Sequence, residues 1–112
     1  MEVLNFGDFN YREGEKTILP VEPKISQRLE EIFKNRSPII MQGRLIYNYD
    51  LEGEEPTITE FSCVANVLYQ DPMKAWCAVP IPYDPSSCFL LMELEGNWNI
   101  ILGTDLYHLE NT

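Results

Sequence analysis

Along residues 23–35, PKISQRLEEIFKN, apolar side chains recur at a helical interval. Ile25, Leu29, Ile32 and Phe33 form one stripe, while Arg28, Glu30, Glu31 and Lys34 fall on the remaining surface. Pro23 suits the first helical turn because its missing N–H needs no partner there. Pro38 closes the segment, since a proline disfavours helix in the residue before it. Residues 1–21 carry no such period and read as an extended arm or loose hairpin around REGE, anchored by Phe6, Phe9 and Tyr11.

From residue 38 to 103 the apolar period drops to two, the spacing of strands. In PIIMQGRLIYNY, Ile39, Met41, Gly43, Leu45 and Tyr47 share a face. In TITEFSCVANVLYQ, Phe61, Cys63, Ala65, Val67 and Tyr69 do the same. Folding the two about NYDLEGEEPTITE sets Leu45 against Phe61, Gly43 against Cys63, Met41 against Ala65 and Ile39 against Val67. A slip of one residue would send all of these to the other face. KAWCAVPIP extends the inner face with Ala75, Cys77 and Val79 until Pro80, Pro82 and Pro85 limit pairing. SSCFLLMELE opposes it through Cys88, Leu90 and Met92. After a tight EGN turn, WNIILG sets Trp98, Ile100 and Leu102 against Leu94, Met92 and Leu90. The expected fold is a single α+β domain over residues 1–112: one N-terminal helix packed on a curved antiparallel meander of about five strands, with 104–112 as a C-terminal tail.

The segment CFLLMELEGNWNIILGTD, residues 88–105, has a Gly-containing turn followed by a Trp and an apolar strand. It resembles the closing hairpin of NTF2-like domains, and the order of helix then meander is similar to the wider cystatin-like group. That resemblance implies a helix cradled by a curved sheet with an apolar pocket between them. The chain departs from the pattern in showing one helix before the sheet rather than a longer helical start. Such domains serve many functions, so the resemblance implies no single activity.

By the same alternation, the second face of the meander carries Ile40, Arg44, Ile46, Glu60, Val64, Leu68, Trp76, Phe89, Leu91 and Ile101. That is too apolar for a face left in water. Either the N-terminal arm and the C-terminal DLYHLENT cover it through Phe6, Phe9, Leu106 and Tyr107, or it is an interface. In the second case Arg44, Ile46, Val64, Leu68, Trp76, Phe89 and Leu91 meet a homodimer mate or a docked partner.

Charge changes the picture more than composition does. Apolar residues make up 45% and charged residues 23%, ordinary for a globular domain. Eighteen acids stand against eight bases, for a net charge of −10. Residues 1–44 are balanced, so the whole excess lies in residues 45–112, where Lys74 is the one base. This argues against direct nucleic-acid binding, which needs a basic footprint, and against anionic membrane surfaces. It favours attraction to a basic protein. The longest apolar runs, such as CFLLM, are too short to span a bilayer, and the N-terminus lacks the pattern of a secretory signal. Cys63, Cys77 and Cys88 lack CxxC spacing and sit in strand patterns, which suits free thiols in a reducing cytoplasm.

No catalytic residue, metal ligand or cofactor is expected. The single histidine, His108, lies near the terminus beside Asp105 and Glu110, without a nucleophile in its neighbourhood. PSSC lacks the glycine elbow of a serine nucleophile. The glycines form no phosphate loop. Counted as a calcium loop from Asp50, NYDLEGEEPTITE fails, with Glu55 where glycine and Phe61 where a bidentate glutamate are needed. The stretch reads instead as a hairpin tip with Gly53 free to turn.

The expectation is therefore a non-enzymatic, acidic interaction module that binds, and inhibits or regulates, a protein with a basic surface. Immunity proteins, nucleic-acid mimics and adaptors work this way. Asp50, Glu52, Glu54, Glu55 and Glu60, with Asp71, Asp84, Glu93 and Glu95, would steer the encounter, and Tyr49, Tyr83 and Trp76 would anchor it. The alternative is a small-molecule-binding or enzymatic NTF2-like domain with an apolar pocket between helix and sheet.

Overall fold

In the computed structural model, which describes residues 1–12, 18–69, 72–84 and 87–102, the chain begins with β1 (Glu2–Arg12), β2 (Ile18–Pro20) and helix α1 (Pro23–Phe33). It continues through β3 (Ile39–Asn48), β4 (Thr57–Leu68), β5 (Ala75–Pro80), β6 (Phe89–Leu94) and β7 (Asn97–Ile101). The strands make one sheet in the order β1-β3-β4-β5-β6-β7-β2. The expected α+β domain, a helix laid on a five-strand meander, is not what forms. The structure is mainly sheet, seven strands curled into a nearly closed barrel with one short helix, so the expected cystatin-like order of a helix laid on a meander is not borne out. The meander β3 to β7 is its centre. The segment expected to be an arm supplies both outer strands: β1 parallel to β3 and β2 antiparallel to β7.

A bulge explains why residues 1–12 show no simple period. Pairing of β1 with β3 runs Asn5↔Gln42 and then Asp8↔Arg44, so β1 holds one extra residue. Gly7 turns it with φ 76°, and its N–H donates to Asn5 Oδ1 at 3.0 Å. Alternation is rephased across the bulge. Leu4 and Phe6 before it, and Phe9 after it, all enter the core, and Tyr11 packs against its edge.

Two registers differ from expectation. In β3–β4 the pairs are Ile39↔Ala65, Met41↔Cys63 and Gly43↔Phe61, offset by two residues, so the faces survive but the partners change. The ring of Phe61 lies over Gly43, where a Cβ would come within 2.6 Å of its Cζ. In β6–β7 the turn is the two-residue Glu95-Gly96, with φ 52° and 87°, the left-handed pair a tight hairpin requires. Leu94 then pairs with Asn97, and Leu91 with Ile100, one residue from the expected pairing. Because Val67 also pairs with Trp76, the faces of β5 and β6 are inverted. Trp76, Ala78, Phe89 and Leu91 point into the barrel. Ala75, Leu90, Met92 and Ile101 form a second cluster on the outer face, with Cys77 against it.

The helix closes one end of the barrel. Its stripe buries Leu29, Ile32 and Phe33, with Ile25 at the margin. Phe33 packs on both indoles, 5.1 Å from Trp76 and 5.4 Å from Trp98 between ring centres. The indoles lie 4.9 Å apart. Polar groups pin this contact. Trp98 N–H donates to Ser26 Oγ (3.1 Å), Trp98 Nε1 to Glu30 (3.0 Å) and Trp76 Nε1 to the Ser37 carbonyl (2.9 Å). The pocket expected between helix and sheet is thus filled by Leu29, Ile32, Phe33 and the two tryptophans. Arg36, in the left-handed region with φ 53°, ends the helical segment after a turn.

Candidate functional site

The strand directions decide what gathers at each end. β1, β3, β5 and β7 start at the helix end, and β4 and β6 finish there, so the β3–β4 tip and the β5–β6 loop share the opposite, hairpin end. The β3–β4 hairpin also overshoots its neighbour. β4 spans twelve residues and β5 six, and β5 pairs with β4 only as far as Cys63↔Pro80. Residues 57–61 therefore run past the end of β5. The overhang is legible in the unequal lengths of TITEFSCVANVL and AWCAVP; Thr57, Ile58 and Thr59 are not among the expected site residues.

Between the overhang and the β5–β6 loop lies a cavity of about 510 Å³. Leu45, Phe61, Pro82, Phe89 and Leu102 give it an apolar floor, with Tyr11 and Cys63 at its sides and Glu60, Asp84 and Ser87 on its rim. The loop is organised by Asp84. Its carboxylate accepts from Ser87 Oγ at 2.8 Å, and its carbonyl from Ser87 N–H at 3.1 Å. Burial, with Cys88 nearby, pushes the Cys63 thiol up to about 11, so it stays protonated and unreactive at neutral pH. Burial also raises Cys77. Burial raises the Tyr11 hydroxyl, with a smaller effect from Tyr49. All three cysteines are free. Among the described residues no group of three or more His, Cys, Asp or Glu side chains could hold a metal ion.

The expected partner-binding residues meet at this end. Asp50, Glu52, Glu54, Glu55 and Glu60 are exposed on the tip and the overhang, and Tyr83 and Asp84 are exposed across the cavity. Tyr49 closes a ladder of rings, Tyr11–Tyr47 at 5.1 Å and Tyr47–Tyr49 at 4.9 Å, and its hydroxyl lies 2.8 Å from Thr57 Oγ1. Glu93 and Glu95 sit apart, at the helix end. Asp71 and His108, and the tail expected to cover the sheet, fall outside the described residues.

The expected outer-face interface loses its aromatic part. Trp76 and Leu91 are fully buried and Phe89 nearly so, all inside the barrel, because the β4–β5 and β6–β7 pairings invert β5 and β6. Trp76 is therefore no anchor for a partner. Ile46, Val64 and Leu68 remain on the outer face, half-buried, and Arg44 is bound there to Asp8 through two hydrogen bonds of 2.8 and 2.7 Å. The homodimer expected through this face loses three of its seven contact residues, both aromatic ones among them.

Charge separates along the barrel. At the helix end Arg28 binds Glu2 and Glu31, and Lys74 binds Glu30 at 2.8 Å, with Lys24, Lys34 and Arg36 on or beside the helix. These pairs hold the Glu2 and Glu30 carboxyls below the usual range through hydrogen bonds from Arg28 and Lys74, against a smaller opposing effect of burial. At the hairpin end Asp50, Glu52, Glu54, Glu55 and Glu60 are exposed, and the described bases nearest them are Arg12 and Arg44, the latter opposite Glu60 across the β3–β4 pair and bound to Asp8. No helix among the described residues is long and apolar enough to cross a membrane. Comparison with protein-family models, curated proteins and solved structures finds no match to this chain.

Proposed function

We propose that this protein is a binding module whose hairpin end docks on a basic surface of a partner protein and thereby inhibits or regulates that partner. The observation that supports it is the run of exposed acids at the hairpin end, Asp50, Glu52, Glu54, Glu55 and Glu60, close to an apolar cavity that opens at the same end. Acids alone would serve solubility. Acids at the same end as an apolar recess, with Tyr49 and Tyr83 exposed there as well, supply both steering and anchoring. The free thiols support a reducing, cytoplasmic setting.

A second reading uses the same recess for a small apolar ligand, since its volume falls within the range of about 300–1,000 Å³ typical of such sites. Affinity capture from a native extract at low and high salt separates the two. Recovery of one basic protein that is lost as salt shortens the Debye length below about 8 Å supports the module. No protein partner, with a small molecule retained under native mass spectrometry, supports the ligand reading instead.

A further inference from the structure

We infer that the uncovered edge of β4 is a strand-docking site for an extended segment of the partner that alternates apolar and basic side chains. This rests on the proposed binding of a basic partner at the hairpin end and adds how that partner is read.

Residues 57–61 extend about 16 Å at the usual rise of about 3.3 Å per residue, with β3 on one side and, among the described residues, no strand on the other. In an antiparallel strand, the N–H and C=O of one residue point the same way, and successive residues alternate. Ile81 N–H donates to the Ser62 carbonyl at 2.9 Å, which assigns even-numbered residues of β4 to the β5 side. Ile58 and Glu60 thus direct a donor and an acceptor each to the uncovered edge. No backbone hydrogen bond meets them there among the described residues. Residues 57–60 are all exposed, Ile58 at 54%.

The outermost strands are defended in ways this stretch is not. β1 is broken by the Gly7 bulge, and β2 is three residues long and ends in Pro20. The overhang has no bulge, proline or lysine, and Thr57, Ile58 and Thr59 are β-branched. It is an edge fit for pairing.

An added strand would send alternate side chains to the two faces of the sheet. Those level with Thr59 and Phe61 enter the cavity floored by Leu45 and Phe89, which selects apolar residues. Those on the other face lie beside Ile58 and Glu60, with the tip acids Asp50–Glu55 beyond, which favours lysine or arginine; Arg44, opposite Glu60 on this face, is held by Asp8. A second copy of this chain would bring two acidic rims together, so the occupant is a basic segment of another protein.

The test titrates the full-length, isotope-labelled protein with a short capped peptide alternating lysine and valine. Amide exchange and chemical shifts are followed. Binding should slow exchange at the Ile58 and Glu60 amides and fade with salt. N-methylation along the pairing edge of the peptide should weaken binding about tenfold, the loss expected from one or two hydrogen bonds. Ile58→Pro removes an edge donor but no bond to β3 and should weaken binding similarly. If that variant misfolds, the N-methylated peptide still decides. Salt-sensitive binding without protection at these amides, and with no effect of N-methylation, would overturn strand docking while leaving the acidic surface intact. Equal binding of a peptide alternating glutamate and valine, no binding of the lysine peptide, or a dimer formed through this edge would overturn it as well.

Discussion

Replacing Gly43 by alanine sets two opposed effects against each other. In a strand interior, alanine is usually better than glycine by about 0.5–1 kcal/mol, because glycine loses more freedom on folding. Here the added Cβ would lie 2.6 and 2.9 Å from Cζ and Cε1 of Phe61, and 2.8 Å from the carbonyl oxygen of Gly7. The ring can move, at the expense of its 5.6 Å edge contact with Phe89. The Gly7 oxygen is backbone inside a bulge and yields only if β1 and β3 separate. Overpacking of this kind costs about 1–3 kcal/mol, so the net effect is destabilising. Urea unfolding followed by fluorescence of the buried Trp76 and Trp98 measures it. The midpoint should fall on the order of 1 M, with the slope unchanged. Gly43→Ala combined with Phe61→Ala should lose less than the sum of the single changes, because part of the clash is removed in advance. A Gly43→Ala protein as stable as the parent would refute the close packing of β1, β3 and Phe61, and with it the shape of the cavity floor.

Ser26→Ala should cost about 1–3 kcal/mol in the same assay, because it strands the buried Trp98 N–H; an unchanged midpoint would mean that the helix is not pinned there. On acidification, Glu2, Asp8 and Glu30, whose folded carboxyls are depressed by hydrogen bonds from Arg28, Arg44 and Lys74, supply stability that is fully present above their ordinary values of 4.5, 3.8 and 4.5. It is lost as pH falls through the lower folded values, so Glu30→Gln should be less stable at pH 7 yet show a shallower acid decline than the parent. Toward a small alkylating reagent at mildly alkaline pH, Cys63 should react far more slowly than Cys77 and Cys88, as read by peptide mass mapping; equal labelling would contradict its burial.

The helix was readable because its cues are local: a proline at the start and one apolar stripe. The β3–β4 pairing was readable only in parity, since alternation fixes which face a residue takes and not which partner it meets. The offset of two is explained by Gly43 receiving the Phe61 ring, a shape match that a count of apolar residues does not detect. At Glu95-Gly96 a two-residue turn read as three residues shifted the pairing by one and put Trp98 opposite Leu94, where the structure pairs it with Glu93. That error, with the Val67↔Trp76 pairing, turned the core residues Trp76, Phe89 and Leu91 into apparent surface. β1 was hidden by its own bulge, because Leu4–Phe6 and Phe9–Tyr11 alternate out of phase. The acids of the tip were legible, since five carboxylates beside a glycine must stay hydrated. The cavity beside them was not. It lies between the β4 overhang and the β5–β6 loop, which only the long-range pairing of β3 through β6 brings to one end, and no local signal announces it.

The central claim, that binding belongs to the acidic hairpin end and not to the overall charge, is tested by two variants with equal change in net charge. One replaces Asp50, Glu52, Glu54 and Glu55 by their amides; the other does the same to Glu22, Glu31, Glu93 and Glu95 near the helix end. Their affinities for the captured basic partner are compared by titration at physiological salt. The account predicts at least about a tenfold loss for the first variant, equivalent to about 1.4 kcal/mol, and little change for the second. Equal losses from both, or a greater loss from the helix end, would contradict it.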